Sequence, residues 1–194
     1  MRTVFFDVDT QNDFLLPAGA LYVPGAEALV DSLARLNRHA AARGFPLLST
    51  ADAHLENDPE FARWPAHCVS GTHGQRKPAS TLLGRRSVIP AHRAPIEMEE
   101  TDQFIVEKQA LDCFTNPNLP VLLAALNAER YVLYGVVTEI CVSHAARGLL
   151  EAGLSVLLVE DAVRHLSEPA RQAFFADFQA RGGRLIPLAA ALAL

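Results

Sequence analysis

The sequence has no long apolar segment, no run of basic residues and only three cysteines. None of its apolar runs approaches the roughly 20 residues that cross a membrane. The amino-terminal run Val4–Phe6 is too short, and too close to acidic residues, for a signal peptide. A net charge of −5 without a basic cluster argues against a nucleic-acid or membrane surface. We therefore expect a cytoplasmic protein whose partners include neither nucleic acid nor membrane.

Cysteine and lysine are both scarce. Cys68, Cys113 and Cys141 are an odd number without CxxC spacing, which argues against a disulfide framework and favours reduced thiols. Lys77 and Lys108 are the two lysines among 17 basic residues. A lysine ammonium is a point charge whose pKa moves when it is buried, so each is a weak candidate for a functional group. Taken alone, Lys108 is explained slightly better as a solvated charge at a strand end.

Apolar residues alternate between strand and helix patterns along the chain. Half of the residues are hydrophobic and 20% are charged, which is typical of one globular α/β domain over residues 1–194. The pattern predicts six strands, at 3–7, 45–50, 104–107, 131–134, 155–159 and 184–187. Strands separated by helices imply a mostly parallel sheet with helices on both faces, a three-layer α/β/α arrangement.

Three chemically distinctive residues lie at the ends of predicted strands. Ligands of such sheets bind outside the carboxyl ends of the strands, where Asp9, Lys108 and Cys141 should meet as base, charge partner and nucleophile. Cys141 lies at a strand-to-helix junction, where the helix dipole should lower the pKa of the thiol and backbone N–H groups can hold an oxyanion. From position alone, a small buried hydrophobe explains Cys141 about equally well. The three residues together favour catalysis.

A long polar loop over residues 52–78 is a second candidate site, because loops of that length in compact domains are usually functional. It contains four potential metal ligands, Asp52, His54, Glu60 and His67. Carboxylates and imidazoles suit Zn²⁺, Mn²⁺ or Fe²⁺. Asp58 and His73 are rival ligands, and the pattern alone fits a polar loop with satisfied histidines as well as it fits a metal site.

Several blocks of the sequence resemble, in order, the signature motifs of the isochorismatase-like cysteine hydrolases, and nicotinamidases most closely. They are Asp9–Phe14 (DTQNDF), Asp52–His54, Trp64–Cys68 with Gly71 and Thr72, Lys108, and Gly135–Val142 (GVVTEICV). The resemblance implies a Rossmann-like sheet of six strands and a catalytic triad of Asp9, Lys108 and Cys141. It also implies a cis peptide at Val136–Val137 that turns the Val137 N–H beside that of Cys141 as an oxyanion hole.

The resemblance further implies a metal centre and a substrate pocket. By family position, one divalent ion is held by Asp52, His54 and His67, with Glu60 where many relatives have a histidine. Zinc is the first choice, and manganese or iron are alternatives. The pocket positions are Phe14, Leu21, Val23, Trp64 and Ile140. Ile140 replaces the histidine of some relatives and Glu139 the aspartate of others, so contacts to the substrate ring differ here.

The activity implied by the resemblance is hydrolysis of nicotinamide, or of a related small aromatic amide, to acid and ammonia through a thioester. Such an enzyme belongs to NAD salvage, and the family suggests a homo-oligomer. Three alternatives stay open: hydrolysis of another C–N substrate such as a carbamoyl or ureido compound, hydrolysis of isochorismate, and an inactive binding module on the same fold. The intact triad argues against the inactive module, and the thiol together with the metal loop argues against isochorismate.

Overall fold

The computed structural model describes residues 1–194. Its strands are β1 (Thr3–Val8), β2 (Leu47–Asp52), β3 (Arg86–Ile89), β4 (Gln103–Lys108), β5 (Arg130–Val136), β6 (Ser155–Arg164) and β7 (Arg184–Ile186). They form one seven-stranded sheet in the order β3-β4-β2-β1-β5-β6-β7, and every neighbouring pair is parallel. The predicted α/β class and parallel sheet are confirmed.

The predicted number of six strands is wrong by one, because β3 was missed. This strand lies at the edge of the sheet, where Arg86 and Val88 are exposed and Ile89 is buried. An edge strand with one buried residue has no apolar run, so periodicity does not reveal it.

Helices cover both faces of the sheet. They are α1 (Asn12–Leu15), α2 (Val30–Ala42), α3 (Leu119–Leu126), α4 (Ser143–Glu151), α5 (Glu168–Ala180) and α6 (Leu188–Ala191). Successive residues of a strand point to opposite faces, so Phe6 packs in the cluster that includes side chains of α3, α4 and α5, and Phe5 in the cluster that includes α2 and α6. The three-layer arrangement is therefore confirmed. None of the helices is both long and apolar enough to span a membrane.

The connections at the carboxyl end of the sheet carry the features of interest. A short 3₁₀ turn, Pro59–Ala62, interrupts the long loop after β2, and His54 pairs with Val69 in an isolated bridge. After β5 the chain passes through a π-helical turn, Thr138–Val142, before α4 begins. Cys141 therefore lies at the predicted junction between a strand and a helix, within the π-helical turn that precedes α4.

Glycine is required where β1 and β5 run side by side. Gly135 has φ of +123°, and a Cβ at this position would overlap the backbone of Val8, its partner in β1. No other residue fits both the conformation and the space. The peptide bond between Val136 and Val137, one residue further along the chain, is cis, as the family resemblance implied.

Candidate active site

Asp9, Lys108 and Cys141 meet at the carboxyl end of the sheet. Lys108 Nζ lies 3.0 Å from Asp9 Oδ2 and 3.8 Å from Cys141 Sγ. All three residues are buried, with Asp9 0%, Lys108 1% and Cys141 6% exposed. The interpretation of Lys108 as a solvated charge at a strand end is therefore wrong. The ammonium also donates a 2.9 Å hydrogen bond to the carbonyl oxygen of Ala110, which fixes its position.

Asp9 is held by Thr50, the neighbouring residue on β2. The Thr50 hydroxyl donates to Asp9 Oδ1 at 2.7 Å and accepts from the Asp9 N–H at 3.2 Å. Asp9 has φ of 49°, a left-handed conformation that aspartate tolerates better than most residues. The second oxygen, Oδ2, has no hydrogen-bond partner apart from its ion pair with Lys108. One oxygen of Asp9 is thus anchored and the other remains available for a proton.

Burial and charge set the protonation states of these three groups. Burial, with the nearby Asp52 carboxylate, raises the pKa of Asp9 although Lys108 opposes the shift. Burial also raises the pKa of the Cys141 thiol well above 9, which outweighs the attraction of Lys108. The expected lowering of the Cys141 pKa is therefore wrong. For Lys108, burial opposes the charged form, but the carboxylates of Asp52 and Asp9 hold its pKa well above 10.5.

Asp52 has a second ion-pair role that the sequence pattern does not predict. One of its oxygens, Oδ1, contacts Lys108 Nζ, and the other, Oδ2, lies 3.8 Å from His54 Nε2 and 3.9 Å from His67 Nε2. Burial disfavours the charged carboxylate, but Lys108 and His54 hold the pKa of Asp52 below its usual value. A single carboxylate therefore connects the triad to the two histidines.

The two histidines are oriented by their Nδ1 atoms. The Nδ1–H of His54 donates to Asp58 Oδ2 at 2.9 Å, and that of His67 donates to the Pro65 carbonyl oxygen at 2.7 Å. Both Nε2 atoms consequently face Asp52. Such contacts on the outer ring nitrogen are typical of metal-binding histidines, because they fix the tautomer and the ring plane.

The residues present fit a divalent metal ion. The donor atoms of Asp52, His54 and His67 lie within 4.8 Å of one another, and all three residues are buried. His54 Nε2 is buried without any hydrogen-bond partner, a costly arrangement that a metal ion would relieve. Burial lowers the pKa of His54, but the nearby carboxylates of Asp52 and Asp58 raise it to about 9. Because a ligating imidazole must be neutral, metal binding here displaces a proton.

The remaining candidate ligands lie outside this group of three. Glu60 Oε1 is 3.9 Å from His67 Nε2 and borders the same space. Asp58 accepts from His54 and from the Glu60 N–H, and so acts on the outer side of the histidine. The His73 carbonyl accepts from the side chain of Asn12.

A mostly apolar cavity lies between Cys141 of the triad and the candidate metal ligands Asp52 and His67. The five pocket positions named from the sequence, Phe14, Leu21, Val23, Trp64 and Ile140, all line it, together with Asp52, Glu60, His67, Val137 and Cys141. Leu111, Val136 and Leu166 complete the lining and were not predicted.

Glu139 positions one of these missed residues. Its Oε1 accepts hydrogen bonds from the N–H groups of Leu166 at 2.9 Å and Ser167 at 2.8 Å. Glu139 therefore holds the segment that brings Leu166 into the cavity wall. Leu166 is an isolated apolar residue that is 45% exposed, so no periodic signal marks it in the sequence.

The backbone near Cys141 offers a free donor. The N–H of Val137 donates no hydrogen bond within the chain, whereas the Val137 carbonyl accepts from Ile140 and Val142, both at 3.1 Å. Val137 and Cys141 both line the cavity. An unpaired N–H group beside a nucleophile suits a developing oxyanion.

Comparisons with known proteins agree with this architecture. The family model described as the isochorismatase domain matches residues 90–190, more than half of the chain. The chain therefore belongs to the isochorismatase family, and its relatives include nicotinamidase- and pyrazinamidase-like hydrolases.

Three relatives illustrate this membership. The chain is 25% identical to a nicotinamidase of Escherichia coli, over 94% of this chain and 93% of the relative. The crystal structure of a Pyrococcus horikoshii pyrazinamidase in complex with zinc is 25% identical, with a TM-score of 0.80 over 96% of this chain and 99% of that one. A Thermoplasma acidophilum N-carbamoylsarcosine amidase is 24% identical, with a TM-score of 0.79 over 97% of both chains, and shows the common fold.

Proposed function

We propose that this protein is an amidohydrolase that converts nicotinamide, or a closely related small aromatic amide, to the acid and ammonia. The observation that carries the proposal is that one apolar cavity is lined by Cys141 and by the candidate metal ligands Asp52 and His67. An aromatic ring suits the apolar character of these walls, and a carboxamide on that ring would lie beside the thiol. The similarity to a nicotinamidase and to a zinc-bound pyrazinamidase supports this choice of substrate. Such a reaction would serve NAD salvage.

In the proposed mechanism Asp9 is the general base. Because burial raises the pKa of both groups, the thiol rests protonated and Asp9 is a stronger base than an exposed carboxylate. Asp9 takes the thiol proton as Cys141 sulfur attacks the amide carbon. Lys108 balances the charge that develops on sulfur and holds Asp9 in place.

The second half of the reaction uses the same groups. The carbonyl oxygen, now negative, accepts hydrogen bonds from the N–H groups of Val137 and Cys141. The C–N bond breaks as the nitrogen receives the proton from Asp9, which releases ammonia and leaves a thioester on Cys141. Asp9 then removes a proton from water, which attacks the thioester. The C–S bond breaks, the Cys141 thiolate takes the proton back from Asp9, and the acid is released. The sum is amide plus water giving acid plus ammonia.

The candidate metal centre belongs to substrate recognition in this proposal. Asp52, His54 and His67 would hold one divalent ion, with Glu60 as the fourth ligand. Zinc is the first choice, and manganese and iron are the alternatives. When bound, the ion supplies a Lewis acid beside the ring slot, to which a ring nitrogen can bind directly or through water. His54 and His67 are kept in the required tautomer by Asp58 and Pro65.

Ammonia release from a panel of amides tests the proposal. Nicotinamide, pyrazinamide, benzamide and an N-carbamoyl amino acid should be compared at saturating metal. We expect turnover of the ring amides. Turnover of the carbamoyl compound alone would assign the same triad to other C–N substrates, and release from none of them would favour the inactive binding module. Two further parts of the proposal have their own tests. Sedimentation tests whether the protein assembles into a homo-oligomer, and a single cooperative unfolding transition tests whether residues 1–194 form one domain.

A further inference from the structure

The turn that follows β1 carries three polar residues at alternate positions, Asp9, Gln11 and Asp13, and each contacts a different part of the candidate active site. Asp9 belongs to the triad, whereas Gln11 and Asp13 have no role in the mechanism above. Gln11 is fully buried, and Asp13 is partly buried. Their side chains contact the backbone of the two segments that carry the candidate metal ligands.

Gln11 holds Asp52 by its main chain. The Asp52 N–H donates to Gln11 Oε1 at 2.7 Å, and Gln11 Nε2 donates to the Asp52 carbonyl at 2.8 Å. The same Nε2 donates to the Gln75 carbonyl at 2.7 Å. The Gln11 side-chain amide thus binds both the N–H and the carbonyl of Asp52, as the backbone of a neighbouring strand would. It also binds the backbone near the end of the long loop, at Gln75.

Asp13 holds the segment that carries His67. Its Oδ2 accepts from the Cys68 N–H at 2.7 Å, and its Oδ1 accepts from the Ala20 N–H at 2.9 Å. A Cβ at residue 74 would overlap this carboxylate, so Gly74 makes room for it. Asp13 therefore connects two segments of the cavity wall. One is the loop that carries Leu21 and Val23, and the other contains Cys68 and the candidate ligand His67.

We propose that Gln11 and Asp13 are positioning residues that set the metal affinity of the site, by fixing the backbone at Asp52 and at His67–Cys68. Both residues lie in the turn that supplies Asp9, so a single segment fixes the position of the metal ligands relative to the proposed general base. The predicted effect on zinc affinity follows from the positions of the ligands alone. The predicted effect on KM for the amide substrate also rests on the proposed function. Contacts of this outer kind typically contribute tenfold to hundredfold in metal affinity.

The test compares Gln11→Asn and Asp13→Asn with two matched controls. Gln11→Asn shortens the side chain so that it cannot reach both groups of Asp52, and Asp13→Asn leaves one of two N–H donors facing an NH₂ group. Gln103→Asn is the control for the first, because Gln103 is equally buried and accepts from the Leu83 N–H at 2.8 Å. Asp161→Asn is the control for the second, because Asp161 accepts from the Leu188 N–H at 2.7 Å.

The measurement is the zinc dissociation constant of metal-stripped full-length protein, titrated against a competing chelator. We expect it to rise about tenfold or more in both test variants and to stay unchanged in both controls. At saturating zinc, kcat should return to the wild-type value while KM remains raised, a split that general destabilisation does not produce. Thermal unfolding of the metal-free proteins shows that the variants are folded.

Wild-type zinc affinity in folded Gln11→Asn and Asp13→Asn would overturn the proposal, as would an equal loss of affinity in the controls or no zinc binding by the wild type. Should one test variant fail to fold, the other decides the result. Tight zinc binding by a wild-type protein that hydrolyses no amide would contradict the proposed function. In that case the zinc constants of the variants would still decide the positioning roles.

Discussion

Asp52 and Lys108 face each other at paired positions of β2 and β4 and form a buried ion pair. The other oxygen of Asp52 is directed to His54 and His67. Lys108 in turn contacts Asp9 and Cys141. The charge of one carboxylate is therefore shared between the candidate catalytic groups and the candidate metal ligands, so replacement of Asp52 affects both sets.

Replacement of Asp52 should consequently have a double effect. We expect Asp52→Asn to abolish tight metal binding and to lower amidase activity even at high metal concentration. The free energy of unfolding of the metal-free protein should fall by about 1.5–3 kcal/mol, because Lys108 loses a charged partner but keeps Asp9. Urea denaturation measures this loss.

A surface pair provides the control for that measurement. Asp102→Asn breaks the exposed pair with Arg85 and should cost less than about 1 kcal/mol. Equal losses for the two variants, or full activity of Asp52→Asn at high metal, would contradict the bridging role of Asp52.

Replacement of the nucleophile should separate chemistry from folding. Cys141→Ala is expected to abolish turnover without lowering the unfolding temperature substantially, since it removes one sulfur atom at the cavity wall. Cys68→Ala and Cys113→Ala should retain turnover, because both thiols are buried outside the cavity lining. Steady-state ammonia release decides the matter, and turnover by Cys141→Ala would end the covalent mechanism.

Alkylation of Cys141 should depend strongly on pH. Its raised pKa means that the thiolate is scarce at neutral pH and becomes more abundant as pH rises towards and beyond 9. The rate of iodoacetamide labelling should therefore climb across this range without levelling off near pH 7. Peptide mass analysis should locate the label on Cys141. A plateau below pH 8 would instead indicate a stabilised thiolate, as in cysteine sites at helix amino ends.

Metal content should match the three buried donors. Protein purified without added metal should carry about one divalent ion per chain. Elemental analysis measures this, and the metal affinity of Glu60→Gln shows whether this fourth candidate ligand contributes. Full activity of protein without bound metal would make His54 and His67 structural residues.

Substrate preference should come from the polar end of the cavity. If a bound ion receives the ring nitrogen, benzamide leaves that position without a partner, and kcat/KM for nicotinamide should be higher by tens-fold, roughly 2 kcal/mol or more. His67→Ala should narrow the difference. Equal kcat/KM values for the two amides would refute recognition through the metal.

The sequence was most informative where strand ends carry unusual residues. Asp9, Lys108 and Cys141 could be brought together from topology alone, because parallel strands end at the same edge of a sheet. The Asp52–Lys108 pair needed the register of β2 against β4, which no local pattern encodes. Leu166 needed the hydrogen bonds from its segment to Glu139, which connect distant parts of the chain.

The pKa of Cys141 shows a second limit of the sequence. Its place after a strand indicated a lowered pKa, but burial has the larger effect and raises it. Burial is a property of the whole surrounding structure. The position of a residue within a helix or turn therefore indicates the direction of one contribution to its pKa shift, and not the direction of the total shift.

Gly135 gives the site a mutational constraint that its chemistry alone would not suggest. The space beside it is occupied by the backbone of Val8, the residue before Asp9, while Cys141 lies six residues beyond it. Adding a single methyl group there would force β1 and β5 apart and so change the distance between base and nucleophile. The spacing of base and nucleophile therefore depends on a glycine that does not line the cavity.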